Sequence, residues 1–397
     1  MGKTIIKNIG KIVSGMLEKP VLKGDTVVIL DKKIHQITIE KSCDFGNADR
    51  VIDANGTTLC PGLIDSHIHP VFGDYTPRQN AIGYIESALH GGVTTMVSNG
   101  EVHLPGRPRD VASIKALAIL AAKSFKNARP AQVKVLGGTL IIESGLKEKD
   151  FEDLSKEEVE RVKFLTEIAD IGEARRMSSW AKKNGMKVLI HCGGASLPGV
   201  GTTSAESIIQ IQPDVVAHIN GGPTPVSLSD IERLIKETPF MVEVVTCGNL
   251  SYAVKVVQSA IEVNGLNRVM IGTDSPSGFG IAPLGVLQMI CLISSFTALP
   301  PEKAIAIATG NTASLYGLKT GMIREGYLAD LLLMDAPTGG INDDALGAIK
   351  SGDIPGISLI MIEGEQVAAK SRNTPPTKRA WKLVGDRPDS HRALPIT

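Results

Sequence analysis

The order of apolar and polar positions divides the chain into a β part at each end and an alternating part between them. From residue 61 onward, short apolar segments alternate with segments of helical period, as in repeated strand–helix units. On either side of this part, short β-branched segments are separated by turns, a pattern typical of strands. These outer segments are residues 4–10, 25–30, 33–40, 50–54, 327–335 and 357–369.

The central part predicts a closed α/β barrel. Its eight predicted strands are 63–69, 94–98, 133–136, 162–168, 187–191, 215–219, 241–245 and 269–273. The predicted helices between them include 78–90, 111–125, 173–184, 228–236, 252–263 and 283–296. Eight strand–helix units over residues 61–318 match the ~250 residues typical of a (β/α)8 TIM barrel.

The two ends are expected to fold together. Neither has enough strands to cover its own apolar face, so we predict one small β-sandwich domain built from residues 1–60 and 319–375. The remaining residues, 376–397, are polar and contain proline. We expect them to form a tail on the surface or on a partner subunit.

Composition narrows the class of protein. The 42 basic and 42 acidic residues cancel, so no long-range field attracts nucleic acid or a membrane surface, and we expect neither partner. The five cysteines are scattered without a Cys-x-x-Cys pair, which argues against a disulfide framework or a structural zinc site. The N-terminal residues lack the apolar core of a signal peptide, and no apolar run is long enough to span a bilayer. We expect a soluble, cytoplasmic protein.

Candidate metal ligands lie at the ends of the predicted strands. His67 and His69 are two residues apart on one strand, so both rings point to the same face. Alone, this pair is as consistent with an incidental polar cluster as with a metal site. Four further residues each end a different predicted strand or follow it directly, namely Glu167, His191, His218 and Asp274. Singly, each is more often a hydrogen-bonded core histidine or a helix cap. Together at one rim, they could hold two divalent cations.

Several segments carry a family resemblance. PGLIDSHIHP, IHCGG, VVAHINGGP, GTDSPSG and TGNTASLYGLKTGMIREGYLADLLLMD resemble the amidohydrolase superfamily of metal-dependent hydrolases, over essentially the whole chain. The resemblance implies two divalent metal ions, zinc, iron or manganese, that activate water. It assigns His67, His69 and Asp274 to the first ion, and it makes Asp274 the general base as well. It assigns His191 and His218 to the second ion.

The bridging ligand is the least secure part of this assignment. The resemblance places Glu167 there, but the sequence after it lacks the glycine-rich stretch expected in the family. Glu173 and a carboxylated Lys163 are the alternatives. Glu167 is preferred because Glu173 falls inside a predicted helix and Lys163 lies deeper along its strand.

Longer loop and tail segments narrow the expected reaction. GDYTPRQ, LPGRPRD, HINGGPTP, PSGFGIAPLG and KSRNTPPTKRA resemble superfamily enzymes of nicotinate fermentation that convert 6-oxo-1,4,5,6-tetrahydronicotinate to 2-formylglutarate and ammonia. The implied partner is thus a small cyclic amide carrying a carboxylate, and the implied assembly is a homotetramer. Arg78, Arg107 and Arg109, in loops at the barrel mouth, could bind that carboxylate, and His103 could line the pocket. Each could equally be an ordinary surface residue.

Three other hypotheses about the function stay open. A dihydroorotase-like or imidazolonepropionase-like enzyme would open a cyclic amide and retain its nitrogen. A single-metal deaminase would need no bridging carboxylate. A non-catalytic assembly protein would bind no divalent metal.

Overall fold

A computed structural model describes residues 2–70, 83–101, 107–165, 170–195, 201–276 and 280–386. The chain divides into two compact units. The first consists of Met1–Leu63, His90–Gly92 and Pro300–Thr397, and the second of Ile64–Leu89 and Val93–Leu299. Residues 300–318, which the sequence analysis placed at the end of the barrel segment, group with the first unit in this division.

The described residues form the following secondary structure. The strands are β1 (Lys3–Lys7), β2 (Lys11–Val13), β3 (Val21–Leu22), β4 (Thr26–Leu30), β5 (Lys33–Thr38), β6 (Arg50–Asp53), β7 (Thr58–Pro61), β8 (Leu63–Ile68), β9 (Val93–Ser98), β10 (Lys134–Leu136), β11 (Thr139–Ile141), β12 (Arg161–Phe164), β13 (Lys187–His191), β14 (Val215–Ala217), β15 (Met241–Val245), β16 (Val269–Gly272), β17 (Leu331–Asp335), β18 (Gly356–Ile362), β19 (Glu365–Ala368) and β20 (Lys382–Asp386). The helices are α1 (Tyr84–Leu89), α2 (Val111–Asn127), α3 (Glu148–Lys156), α4 (Ile171–Lys183), α5 (Ala205–Ile211), α6 (Leu228–Glu237), α7 (Leu250–Glu262), α8 (Gly285–Phe296), α9 (Pro301–Ile307), α10 (Gly310–Leu315) and α11 (Ala345–Ser351).

The first unit is a sandwich of two sheets that contain strands from both chain ends. One sheet has the order β20-β6-β1-β4-β5 and the other β19-β18-β17-β7-β2-β3. The antiparallel pair β17–β7 joins the C-terminal and N-terminal strands in one sheet. Side chains of both sheets meet in one buried apolar core, which includes Ile6, Ile52, Leu59, Leu331 and Leu359. The β sandwich made from both termini is therefore confirmed.

The second unit contains the parallel strands of the barrel. Strands β11 to β16 pair in sequence order, and β8, β9 and β10 form a second run. Backbone hydrogen bonds join β8 to the chain after β16, from Asp274 N to His67 O and from His69 N to Ser275 O, both at 2.8 Å. This pairing of the first and last strands closes the barrel, as the alternating pattern predicted.

The third barrel strand is interrupted. β10 pairs with β9 and β11 pairs with β12, so the two short segments act as one strand broken at Gly137 and Gly138. A Cβ atom on Gly138 would lie 2.5 Å from the Cβ of Ala122, and its φ of +82° favours glycine. Helix α2 can pack closely against this break because neither residue has a side chain.

The barrel helices begin at polar residues that cap them. The side chains of Asp110, Asp170, Ser204, Ser227 and Asn249 each accept a hydrogen bond from a backbone N–H of the first helical turn. Five of the six predicted helices form with ends that differ by a few residues, and the sixth, 78–90, is described only from residue 83 onward, where α1 forms. Among the described residues the structure adds α3, α5, α9, α10 and α11. Among the described residues, no helix combines the length and the apolar character needed to cross a membrane.

Candidate metal centre

Strand β8 and the residue that follows it place His67 and His69 at the end of the barrel. His69 Nδ1 donates a hydrogen bond to the carbonyl oxygen of Gly100 at 2.9 Å, which leaves the lone pair of a neutral ring on Nε2. That Nε2 atom lies 3.1 Å from Oδ1 of Asp274. Two acceptors this close need a proton or a cation beside them. The arrangement therefore fits a bound metal ion.

Two buried imidazole nitrogens have no hydrogen-bond partner among the described residues. They are Nε2 of His67 and Nδ1 of His218. Leaving a buried polar atom unpaired costs roughly 1–3 kcal/mol, so such atoms call for an explanation. Candidate ligand atoms of His67, His218 and Asp274 all lie within 4.8 Å of one another. Divalent cations bound within this cluster would satisfy both nitrogens.

His191 completes the cluster. The centroid of its ring lies 4.6 Å from that of His218, which in turn lies 5.3 Å from that of His67. His191 Nε2 donates to the carbonyl oxygen of Gly193 at 3.1 Å, so its Nδ1 carries the lone pair when the ring is neutral. Burial, reinforced by the charge of Lys163, lowers the pKa of His191 to about 4. Burial also lowers the pKa of His67 and His218 well below the usual value. The rings are thus neutral at pH 7, the form that binds metals.

Asp274 and His218 adopt backbone conformations that are rare for their residue types. Their φ angles are +62° and +37°. Non-glycine residues at positive φ are uncommon, and they cluster at functional sites. Burial raises the pKa of Asp274, but the nearby rings of His67 and His69 outweigh this effect and hold it at about 2. The carboxylate is therefore ionised at neutral pH.

Lys163 is fully buried on β12, and its Nζ donates to Oδ1 of Asn99 at 3.3 Å. Burial lowers its pKa to about 8, although the charges of Glu243 and Asp274 raise it. Its own charge acts on three histidines of the cluster, His67, His191 and His218. Lys163 therefore lies close to the candidate ligands, although its depth along the predicted strand makes it a less favoured bridging residue than Glu167 from the sequence alone.

Three of the other predicted site residues cannot be located relative to the cluster, and a fourth lies elsewhere. Glu167, Arg78 and His103 lie outside the described residues. Glu173 is in the first turn of α4, where its carboxylate accepts hydrogen bonds at 3.2 Å from Ser144 Oγ and Gly145 N. It thus holds a loop, and no contact with the histidines is observed among the described residues.

Arg107 lies on the same side of the barrel, in the chain between β9 and α2. It forms a partly buried ion pair with Glu143, which closely follows β11. Its Nε atom is buried without a hydrogen-bond partner among the described residues. The guanidinium is therefore held at one end by Glu143, while one of its N–H groups has no acceptor among the described residues. Arg109, two residues away, is exposed.

Two buried carboxylates beside the ligands are not among the site residues predicted from the sequence. Glu243 contacts Nδ1 of His67, and Asp65 accepts from Thr273 N at 2.9 Å and Thr273 Oγ1 at 2.6 Å. Burial raises the pKa of both carboxyl groups to about 7. The signal for Glu243 was present, because an acidic residue stands at the centre of the otherwise apolar strand MVEVV.

Known proteins are similar to this chain over most of its length. Residues 58–367 match the amidohydrolase family. The enamidase of Eubacterium barkeri is 51% identical over 386 residues, which cover 97% of this chain and 100% of that protein. A crystal structure of enamidase has a TM-score of 0.92 and covers 96% of this chain and 100% of its own.

A more distant relative shares part of this similarity. The adenine deaminase of Ruegeria sp. (strain TM1040) is 25% identical over 346 residues, 83% of this chain and 54% of that protein. The family match spans most of the chain, including all the described residues of the buried cluster. The chain therefore belongs to the amidohydrolase family.

Proposed function

We propose that the chain is an enamidase that hydrolyses the ring amide of 6-oxo-1,4,5,6-tetrahydronicotinate to 2-formylglutarate and ammonia. The observation that carries this proposal is the buried cluster of four histidines and Asp274 at the ends of the barrel strands, with two imidazole nitrogens unpartnered among the described residues. The 51% identity to the Eubacterium barkeri enzyme over its full length supports the substrate.

Two divalent ions, zinc, iron or manganese, would be held by this cluster. His67, His69 and Asp274 would bind one ion, and His191 and His218 the other. When bound, such ions lower the pKa of water and polarise an amide carbonyl. Imidazole and carboxylate ligands suit several metals, so elemental analysis of the purified protein identifies which are bound.

We propose a carboxylated Lys163 as the residue shared by both ions, with Glu167 as the alternative. The buried position of Lys163 and its effect on three candidate ligands support this choice. Replacing Lys163 with Met should lower the metal content, and bicarbonate should promote metal uptake by the wild-type protein alone. Full metal content in Lys163→Met would favour Glu167 as the bridge.

Asp274 would act as the general base. Its carboxylate is ionised, so it can take a proton from the attacking water and deliver it to the ring nitrogen as the C–N bond breaks. The opened enamine tautomerises to an imine, and a second water converts the imine to an aldehyde and ammonia. Two waters are consumed for each lactam.

Arg107 would bind the substrate carboxylate. Its guanidinium is fixed by Glu143 and keeps a buried N–H unpartnered among the described residues. Planar guanidinium groups bind carboxylates with well-defined geometry. Arg78 and His103, in neighbouring loops of the sequence, are proposed as further binding residues. The family resemblance also supports a homotetramer, which analytical ultracentrifugation tests.

A panel of lactams tests the proposed function. The metal-loaded protein should hydrolyse the tetrahydronicotinate lactam with a kcat/KM well above its values for dihydroorotate and imidazolonepropionate. A preference for either of these would favour the corresponding other cyclic amidohydrolase. Deamination of adenine without opening of any lactam would favour the hypothesis that the chain is a single-metal deaminase.

A further inference from the structure

Glu243 is a fully buried carboxylate in the middle of β15, and donors on β8 and directly after β14 surround it. Oε1 accepts a hydrogen bond from Ser66 Oγ at 2.5 Å. Oε2 contacts Nδ1 of His67 and accepts a hydrogen bond from the backbone N–H of His218 at 3.3 Å. Both carboxylate oxygens of Glu243 therefore contact residues that surround the candidate metal centre.

The complete burial of the Glu243 carboxylate is energetically costly and calls for an explanation. Removing a carboxylate from water costs several kcal/mol, which is recovered only where donors surround it. Here two of the three donors belong to candidate ligands, and these two ligands are assigned to different metal ions. One side chain thus contacts a residue from each half of the centre.

The contact with His67 decides which ring nitrogen is available. A carboxylate at Nδ1 keeps the proton there and leaves the lone pair on Nε2, the atom 3.4 Å from Oδ1 of Asp274. Carboxylates behind metal-binding histidines commonly act in this way. The contact with His218 acts on the backbone of a residue held at a φ of +37°, which fixes where its ring points.

We propose that Glu243 is a positioning residue that fixes one histidine of each metal position, through Nδ1 of His67 and the backbone N–H of His218. This proposal rests on the proposed two-metal function. It predicts that both ions depend on Glu243, although Glu243 binds neither.

Two substitutions separate its charge from its ability to accept hydrogen bonds. In Glu243→Gln, the amide oxygen can still accept from His67 and His218 while its NH2 group donates to Ser66, so the geometry is retained and the charge is lost. Glu243→Leu removes every acceptor. Glu101→Gln is the matched control, since Glu101 is also buried and its Oε1 accepts from Gly138 N at 2.7 Å.

The primary measurement is the dissociation constant of each zinc equivalent, obtained by chelator competition with protein whose fold is verified by circular dichroism. Removing a partner of a ligating histidine typically weakens metal binding 10- to 100-fold. We expect roughly 10-fold weaker binding of both equivalents in Glu243→Gln, roughly 100-fold in Glu243→Leu, and no change in Glu101→Gln. Should Glu243→Leu not fold, Glu243→Gln carries the test.

A second readout addresses the hydrogen bond directly in metal-free protein. The ring N–H proton of His67 should give a strongly downfield NMR signal in the wild type that shifts upfield in Glu243→Gln. Wild-type zinc affinity in both variants, or a loss of thermal stability alone, would overturn the proposal. Weakening of one equivalent only would overturn the dual role.

These measurements need no substrate, so they are distinguishable from a failure of the proposed function. If the wild type binds both zinc ions but does not open the lactam, the proposed reaction fails and the role of Glu243 stands or falls on the affinities. A wild type that binds no divalent metal overturns both.

Discussion

Replacing Asp274 with Asn removes the proposed general base and preserves the shape of the site. The two side chains are nearly isosteric, and Asn tolerates the left-handed region that a φ of +62° requires. The substitution therefore adds no backbone strain. In the wild type, Oδ1 of Asp274 lies 3.1 Å from Nε2 of His69 and 3.4 Å from Nε2 of His67. The substitution places an amide group at this position instead of a carboxylate.

The expected loss of rate follows from the role. General-base catalysis contributes roughly 100- to 10,000-fold, so kcat should fall by that factor, or about 3–5 kcal/mol of barrier. Because the pKa of the wild-type carboxyl group is held at about 2, this group is ionised throughout the neutral range. The deficit of the variant should accordingly be independent of pH around neutrality.

The assay must separate catalysis from metal binding, since Asp274 is also a proposed ligand. Ammonia release is measured at saturating lactam and increasing metal concentration, and the metal content of each sample is determined by elemental analysis. A kcat close to that of the wild type at full metal content would refute the general-base role. A deficit that disappears at high metal concentration would show that Asp274 acts as a ligand alone.

Three further predictions concern binding, pH and packing. Arg107→Gln should raise KM for the lactam roughly 10- to 100-fold with little change in kcat, as expected for the loss of a charged hydrogen bond. The control Arg109→Gln, at an exposed position, should leave KM unchanged. Equal KM values for the two variants in steady-state kinetics would contradict this prediction. In metal-free protein, His191 has a pKa of about 4 when folded and 6.5 when unfolded, so its stabilising contribution is complete above pH 6.5 and is lost as the pH falls through 4. Relative to His191→Asn, the free energy of unfolding measured in urea should thus fall by about 3 kcal/mol between pH 7 and 4, and a constant difference would be inconsistent with this. Gly272→Ala should lower the free energy of unfolding by about 1–3 kcal/mol and weaken metal binding, because the added Cβ would lie 2.6 Å from Cβ of His67. An unchanged thermal unfolding curve would show that neighbouring residues move to accommodate the methyl group.

The sequence predicted those features that depend on local periodicity. The alternating apolar segments locate the barrel strands. Residues at the ends of these predicted strands lie close together in the structure, namely His67, His69, His191, His218 and Asp274. The rule works because parallel strands of a barrel end at one rim, whatever lies between them.

Features that depend on contacts between distant segments were not predictable in the same way. The break between β10 and β11 depends on the packing of α2, and β20 forms only through its pairing with β6. The backbone of Lys163 lies deep along its strand, but the charge at the end of its long side chain acts on three histidines of the cluster. Glu243 has no ligand-like spacing, and its importance depends on His67 and His218, which are remote in sequence.

Release of the ring nitrogen as ammonia distinguishes the proposed enamidase reaction from simple opening of a cyclic amide. The most direct test is to incubate metal-loaded protein with 6-oxo-1,4,5,6-tetrahydronicotinate and to quantify ammonia and the lactam consumed in the same sample. We expect one ammonia for each lactam consumed, together with an aldehyde product that can be trapped as its hydrazone. Consumption of the lactam without ammonia, or no consumption by protein carrying its full complement of metal, would contradict the proposed reaction.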